Sequence, residues 1–162
     1  NTNGAWPPIV ERLAQAGIDS FRFSLNSAQP EVYERYYRPR NYTFAQVKAS
    51  IELAVQLGKW VSINYFTLPG FTDQRTEYTA LQTLIQQTGL HMIQWRNFNI
   101  DPDWYMERMG WTDSDLDQPL GIRFVMQDLK KRFPWLLYGY FNPPARIISR
   151  RLASQRFLSC KQ

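Results

Sequence analysis

Ser24 and Asn26, Ser62 and Asn64, and Arg96, Asn97 and Asn99 stand at or near the ends of three β-type stretches. Hydroxyls, carboxamides and one guanidinium do not perform bond-breaking chemistry unaided. They hold a polar ligand that carries hydroxyls and an amino-acid end, and they leave the reactive step to a cofactor. Other chemistries lack their residues. The five lysines, Lys48, Lys59, Lys130, Lys131 and Lys161, fall on helices, at a strand entrance or in the tail, so no strand carries a Schiff-base nucleophile. The single histidine, His91, follows a glycine at a strand entrance, which leaves a Ser-His-Asp triad without its base and gives His91 a structural role. With one cysteine, Cys160, the chain can build neither an internal disulfide nor a cysteine-rich zinc site; Cys160 reads as a surface or packing thiol.

The elements that must position these residues repeat. AQAG, ending at Gly17, leads into FRFSLN; VQLG, ending at Gly58, leads into VSIN; QQTG, ending at Gly89, leads into MIQWRNFN. A glycine just past a helix supplies a left-handed cap, and each following strand must return to one sheet by a right-handed crossover. Repeated helix–strand alternation predicts a parallel sheet, whose ligand sites gather beyond the C-terminal strand ends. In the first strand Phe21, Phe23 and Leu25 alternate with Arg22, Ser24 and Asn26, so the apolar set faces the helices and the polar set faces inward.

Pro7 and Pro8 open the first helix. A short helix is expected from Pro30 to Tyr37, and Thr43-Phe-Ala-Gln46 reads as a capping box with Tyr42 and Val47 as its staple. The second strand, Trp60 to Phe66, enters a Pro69-Gly70 turn whose Asp73 can cap the next helix. The third strand, Met92 to about Asn99, is polar at both parities, with Gln94 and Arg96 on one face and Asn97 and Asn99 on the other; periodicity does not choose between them. Asp101 and Tyr105 follow in a loop that reads either as a helix N-cap with packing aromatics or as a substrate-facing segment.

After Gly110 the composition changes. Asp113, Asp115 and Asp117 precede a helix with Leu120, Phe124, Leu129 and Phe133 at near-helical spacing, then an aromatic, strand-like run from Trp135 to Phe141. The division expected is a barrel portion over 1–112 and an appended helix–strand extension over 113–162, too small to hold a core of its own. The net charge of +5 lies in the tail: Arg146, Arg150, Arg151, Arg156 and Lys161 meet no acidic residue after position 146. No apolar run approaches the roughly 18 residues of a membrane span. The chain starts without Met and at what reads as a strand end, so it is read as the C-terminal part of a longer protein, with no signal peptide visible.

Thr2-Asn3-Gly4, FRFSLNS (Phe21 to Ser27), YERYYRP (Tyr33 to Pro39), VSINYFTLPGFTD (Val61 to Asp73) and IQWRNFNIDP (Ile93 to Pro102), in this order and spacing, resemble the later half of a radical S-adenosylmethionine (radical SAM) core. The similarity covers about residues 1 to 110 and is nearest the branch of the molybdopterin-precursor cyclase and peptide-modifying relatives. The resemblance implies an α/β fold, a partial (βα) TIM-like barrel representing the later half of a (βα)6 core, with a C-terminal α/β extension. It implies a radical SAM enzyme in which a 4Fe-4S cluster on a CxxxCxxC loop reductively cleaves S-adenosyl-L-methionine to a 5′-deoxyadenosyl radical. That loop follows the first strand of the family and is absent here, so the cluster's ligands are expected upstream, none of the metal ligands is assigned to this chain, and the fragment alone is expected to be inactive.

By position, the resemblance places Asn1, Ser24, Asn26, Asn64, Arg96, Asn97 and Asn99 around the cofactor. Ser62 falls where the cyclase branch has a substrate-contacting lysine, and Asp101 and Tyr105 fall in the substrate-facing loop; these three are the substrate-binding candidates. A planar base, a ribose diol and a sulfonium call for neutral donors and acceptors, because an added cation near the sulfonium would repel it. The partners implied are a small-molecule or peptide substrate and an electron donor such as flavodoxin or ferredoxin, in a cytoplasmic protein with neither membrane nor nucleic acid as a partner. The rival reading is a non-catalytic half-barrel scaffold whose basic tail binds nucleic acid or an acidic partner.

Overall fold

The computed structural model describes residues 1–112 and 118–159, with side chains described through residue 153. Asp113, Asp115, Asp117 and Cys160 lie outside the described residues, as do the side chain of Arg156 and all of Lys161. Three helix–strand units open the chain. Helix α1 (Pro7–Gln15) leads to strand β1 (Ser20–Leu25); α2 (Pro30–Tyr37) and α3 (Phe44–Gln56) lead to β2 (Trp60–Thr67); α4 (Arg75–Thr88) leads to β3 (Met92–Asn97). Then come α5 (Pro102–Met109), α6 (Ile122–Arg132), the two-residue strand β4 (Leu137–Tyr138) and α7 (Ala145–Ser159). The strands form one parallel sheet in the order β1-β2-β3-β4. The expected α/β half-barrel is therefore what the chain adopts.

The caps behave as the sequence predicts. Gly17, Gly58 and Gly89 all take positive φ past their helices, where a side chain would be strained. At the start of α3 the Gln46 side chain accepts from the Thr43 backbone N–H at 2.9 Å, the reciprocal half of a capping box. Asp73 departs from expectation: α4 begins after Gln74, and Asp73 Oδ1 accepts instead from the Gly70 N–H at 2.7 Å. The carboxylate closes the Pro-Gly turn because that donor lies three residues back, within reach of a short side chain. The third strand also stops at Asn97, so Asn99 lies in the following loop.

The register settles which faces are apolar. Phe21, Phe23 and Leu25 pair with Val61, Ile63 and Tyr65, and Ile63 pairs with Ile93. All seven belong to one buried cluster with Val47, Ile51, Leu81 and Ile85 of the outer helices. That layer carries most of the stability, since truncating such a residue to Ala costs roughly 2–5 kcal/mol. Val125, Leu129, Phe133 and Leu136 of the later segment join the same cluster, and β4 extends the same sheet.

Both flanks of the sheet are tied down. Beyond β1, Thr2 forms a parallel bridge to Phe23: its N–H donates to the Arg22 carbonyl at 2.9 Å, and its carbonyl accepts from Ser24 at 3.2 Å. Gly4 makes this approach possible, because a Cβ there would sit 2.6 Å from the Phe23 ring. At the other end, Asn142 follows β4 yet reaches β1. Its amide donates to Ser20 Oγ at 3.1 Å and its carbonyl oxygen accepts from Arg22 at 3.2 Å. A link between the first and last strands of an open sheet requires the sheet to curl, which makes the unpaired face concave.

Candidate functional site

On the concave face the alternate residues of the strands fall into rows. Ser24 pairs with Asn64, and Asn64 with Gln94, so three neutral polar side chains cross three strands at one level. One level lower lie Arg22, Ser62 and Met92; one level toward the strand ends Phe66 pairs with Arg96. The parity that periodicity left open is thus fixed by pairing: Gln94 and Arg96 share the inner face with Asn64 and Phe66.

Above this polar row opens a cavity of about 560 Å³. Ser24, Asn64, Arg96, Asn97 and Asn99 supply its polar wall, and Tyr37, Phe66, Trp95 and Tyr140 its aromatic one. Asn1 joins at the edge, where its side-chain oxygen accepts from Ser24 Oγ at 3.4 Å. The structure brings six of the sequence-predicted residues to one place. Asn26 is buried just beside it, donating to the Val32 carbonyl at 3.4 Å. Ser62 is fully buried lower in the sheet and donates to the Phe21 carbonyl at 3.4 Å.

Asp101 and Tyr105 lie elsewhere. Asp101 caps α5, its carboxylate accepting from the Trp104 N–H at 2.8 Å. Tyr105 is buried in a second apolar cluster with Val32, Phe71 and Met109, and burial pushes its phenol up to about 12 despite the nearby Asn26 amide. Neither lines the cavity. His91 is also buried, stacked 4.8 Å from Trp60, with Nδ1 accepting from the Val61 N–H at 3.0 Å. Its ring closes the strand entrance, as a structural histidine would.

A larger groove of about 900 Å³ runs outside the barrel between α2, α3 and α4. It holds none of the strand-end polar residues; the atoms it exposes are mostly apolar, although Glu31, Glu34, Lys48 and Arg75 are among the residues that line it. The smaller cavity is the candidate because the strand-end polar residues line it and Asn64 brings an unsatisfied oxygen to it. Buried atoms without a hydrogen-bond partner include Oδ1 of Asn64 and both side-chain heteroatoms of Gln94, which is wholly inaccessible. Such atoms cost roughly 1–3 kcal/mol each unless something completes them.

The loop after β1 is held from below by Glu77 of α4. Its carboxylate is fully buried and accepts from Ser27 Oγ at 2.6 Å, the Ala28 N–H at 2.9 Å, Gln29 Nε2 at 2.7 Å and the Tyr65 hydroxyl. No cation faces it; burial raises its pKa above the ordinary carboxylate range while the four donors pull it back. Sequence reasoning missed both Glu77 and Gln94. Glu77 could have been found, since it stands in the apolar stripe Leu81, Leu84, Ile85 and Thr88 where a solvated glutamate does not belong.

A parallel α/β half-barrel with a polar cavity at the C-terminal strand ends defines a barrel-type ligand-binding domain. The Radical SAM superfamily model matches residues 1–82, and the chain belongs to that superfamily. Among solved structures it is similar to the coproporphyrinogen III oxidase HemN from Escherichia coli, described as a radical SAM enzyme. That likeness has a TM-score of 0.54 at 14% identity and covers 79% of this chain. The chain spans 29% of the oxidase chain. No curated protein matches. Among the described residues no three His, Cys, Asp or Glu side chains gather into a metal-binding group, and no helix is long and apolar enough to cross a membrane.

Proposed function

We propose that this chain supplies the S-adenosylmethionine-binding rim of a radical SAM enzyme. The observation that carries this reading is the row Ser24, Asn64 and Gln94, a band of neutral donors and acceptors under the cavity in which three buried heteroatoms are unsatisfied. The residues fit a polar, uncharged ligand surface such as a ribose diol or an adenine edge. They do not fit an iron–sulfur cluster: the sequence has one Cys, Cys160, so the ligands belong to other residues of the protein. When both groups are bound, reductive cleavage of the cofactor supplies a 5′-deoxyadenosyl radical.

What this chain's residues do is bind and orient. Asn64 completes its hydrogen bonds on the ligand; Ser24, held by Asn1, donates or accepts at the edge; Phe66 and Tyr37 exclude water and offer aromatic faces. The Glu77 network fixes the loop carrying Asn26, so that the first strand end meets the ligand in one geometry. The substrate, a small molecule or a peptide, enters over Asn97 and Asn99, and an electron donor such as flavodoxin or ferredoxin supplies the reducing equivalent in the cytoplasm. The similarity to the cyclase and peptide-modifying branch belongs to this reading, with Ser62 in place of that branch's lysine.

The test is equilibrium binding of S-adenosylmethionine to the native protein reconstituted with iron and sulfide. Asn64→Ala and Ser24→Ala are expected to weaken it at least about ten-fold, the equivalent of about 1.4 kcal/mol, with the cluster's absorbance unchanged. Affinity equal to wild type in both variants would remove the rim from the cofactor site.

A further inference from the structure

Arg96 has a side chain that a neutral ligand does not explain. It is the one charged residue lining the cavity, and no carboxylate lines it. The ion pairs among the described residues are Lys48–Glu52 and Arg132–Asp128, so Arg96 takes part in neither. Three other arginines have uncharged protein acceptors: Arg22 donates to Asn142, Arg35 to the Met109 carbonyl, and Arg151 to the Trp135 carbonyl at 3.4 Å. The contact recorded for Arg96 is with the face of Tyr140, 4.6 Å from its guanidinium carbon. A ring against one face holds the plane and leaves the N–H edges free for a planar acceptor.

Placement matters as much as charge. Arg96 lies one pleat beyond the Ser24–Asn64–Gln94 row, toward the mouth, and Tyr140 comes from the segment after β4. Both residues lie outside the stretch 1–82 that the family shares. A free guanidinium near a sulfonium would repel it unless an anion stood beside the guanidinium. Resting on the cofactor-rim reading above, we propose that Arg96, braced by Tyr140, is a carboxylate-recognition subsite for the substrate, with Asn97 and Asn99 as flanking donors. The fork binds a carboxylate through two parallel N–H···O bonds. The substrate class is therefore a carboxylic acid, or a peptide presenting a carboxylate, anchored at the mouth while its reacting carbon points down toward the polar row.

The experiment uses the native protein reconstituted with iron and sulfide and two probes of similar shape, radiolabelled succinate and neutral succinamide, in equilibrium dialysis at constant ionic strength. Saturable succinate binding is expected, with succinamide at least about ten-fold weaker. Arg96→Gln should abolish succinate binding, Arg96→Lys should retain a several-fold weaker site, and Tyr140→Leu should weaken it several-fold. Equal binding of the two probes, or succinate binding that survives Arg96→Gln, overturns the proposal. A ten-fold loss of S-adenosylmethionine in Arg96→Gln, with decarboxylated S-adenosylmethionine binding both proteins alike, also overturns it, because the fork then reads the cofactor's own carboxylate. Failure of wild type to bind S-adenosylmethionine, with Arg96-dependent succinate binding intact, sinks the cofactor-rim reading and leaves the anion subsite standing.

Discussion

Glu77 and Gln94 are both wholly buried, differ by one charge, and sit in opposite circumstances. Every acceptor site that matters on Glu77 meets a donor, from two side chains of the β1 loop, one backbone N–H and one tyrosine. Neither heteroatom of Gln94 meets anything. The first arrangement is a finished structural joint, and it tolerates a charge because four dipoles replace the lost water. The second is unfinished, an amide beneath the cavity that has given up water without gaining a partner. The two residues thus show the same burial with and without completed hydrogen bonds.

The sharpest way to break that comparison is to delete the joint. Glu77→Leu strands four buried donors and should cost about 3 kcal/mol or more in urea unfolding, by the penalty for orphaned polar groups. Should it cost less than about 1 kcal/mol, the network is ornamental and the contrast with Gln94 collapses. Tyr65→Phe removes one donor and leaves the carboxylate three; about 1–2 kcal/mol is expected from the same measurement.

A pH series tests the joint without deleting it. Burial raises the folded pKa of Glu77 above its unfolded value, so the native state keeps a proton that the unfolded chain gives up near pH 4. Native protein then binds more protons than unfolded protein, and the unfolding free energy contributed by this group falls as pH rises through the raised value. Its stabilisation is full below about pH 4, the reverse of a salt-bridged carboxylate. Glu77→Gln, which cannot titrate, should show a flatter profile over that window; an identical slope in both proteins would assign the dependence to other groups.

The smallest effect on stability is expected at Gln94. Gln94→Met replaces an unsatisfied amide with an apolar chain of similar length and should leave urea stability within about 1 kcal/mol of wild type, or raise it. A substantial loss of stability would show that Gln94 has a structural partner after all and would move it from the site to the scaffold.

Much of the framework was legible because it is local. The glycines after α1, α3 and α4, the Thr43–Gln46 box and the Phe21-Phe23-Leu25 alternation each report their own conformation within a few residues. The cavity residues at the strand ends were legible by the same logic, once the strands were placed. What escaped depends on partners far along the chain. Ser27 and Gln29 find Glu77 about fifty residues later, and the parity of β3 is decided by Asn64 through pairing, not by its own sequence. Asp73 was misjudged for the opposite reason: two local donors competed, and the nearer turn N–H won. The strand-like run from Trp135 to Phe141 holds β4, which is only two residues long, and its sequence does not show that the segment after it brings Tyr140 to Arg96.

The carboxamide of Asn142 gives the barrel a latch. One side chain, anchored on a segment with no regular structure of its own, spans from the last strand to Ser20 and Arg22 of the first. Two hydrogen bonds thus join the first and last strands below the level of the Ser24–Asn64–Gln94 row. Shortening or lengthening that one strut would shift the spacing of the outermost strands while the apolar layer on the opposite face keeps its packing.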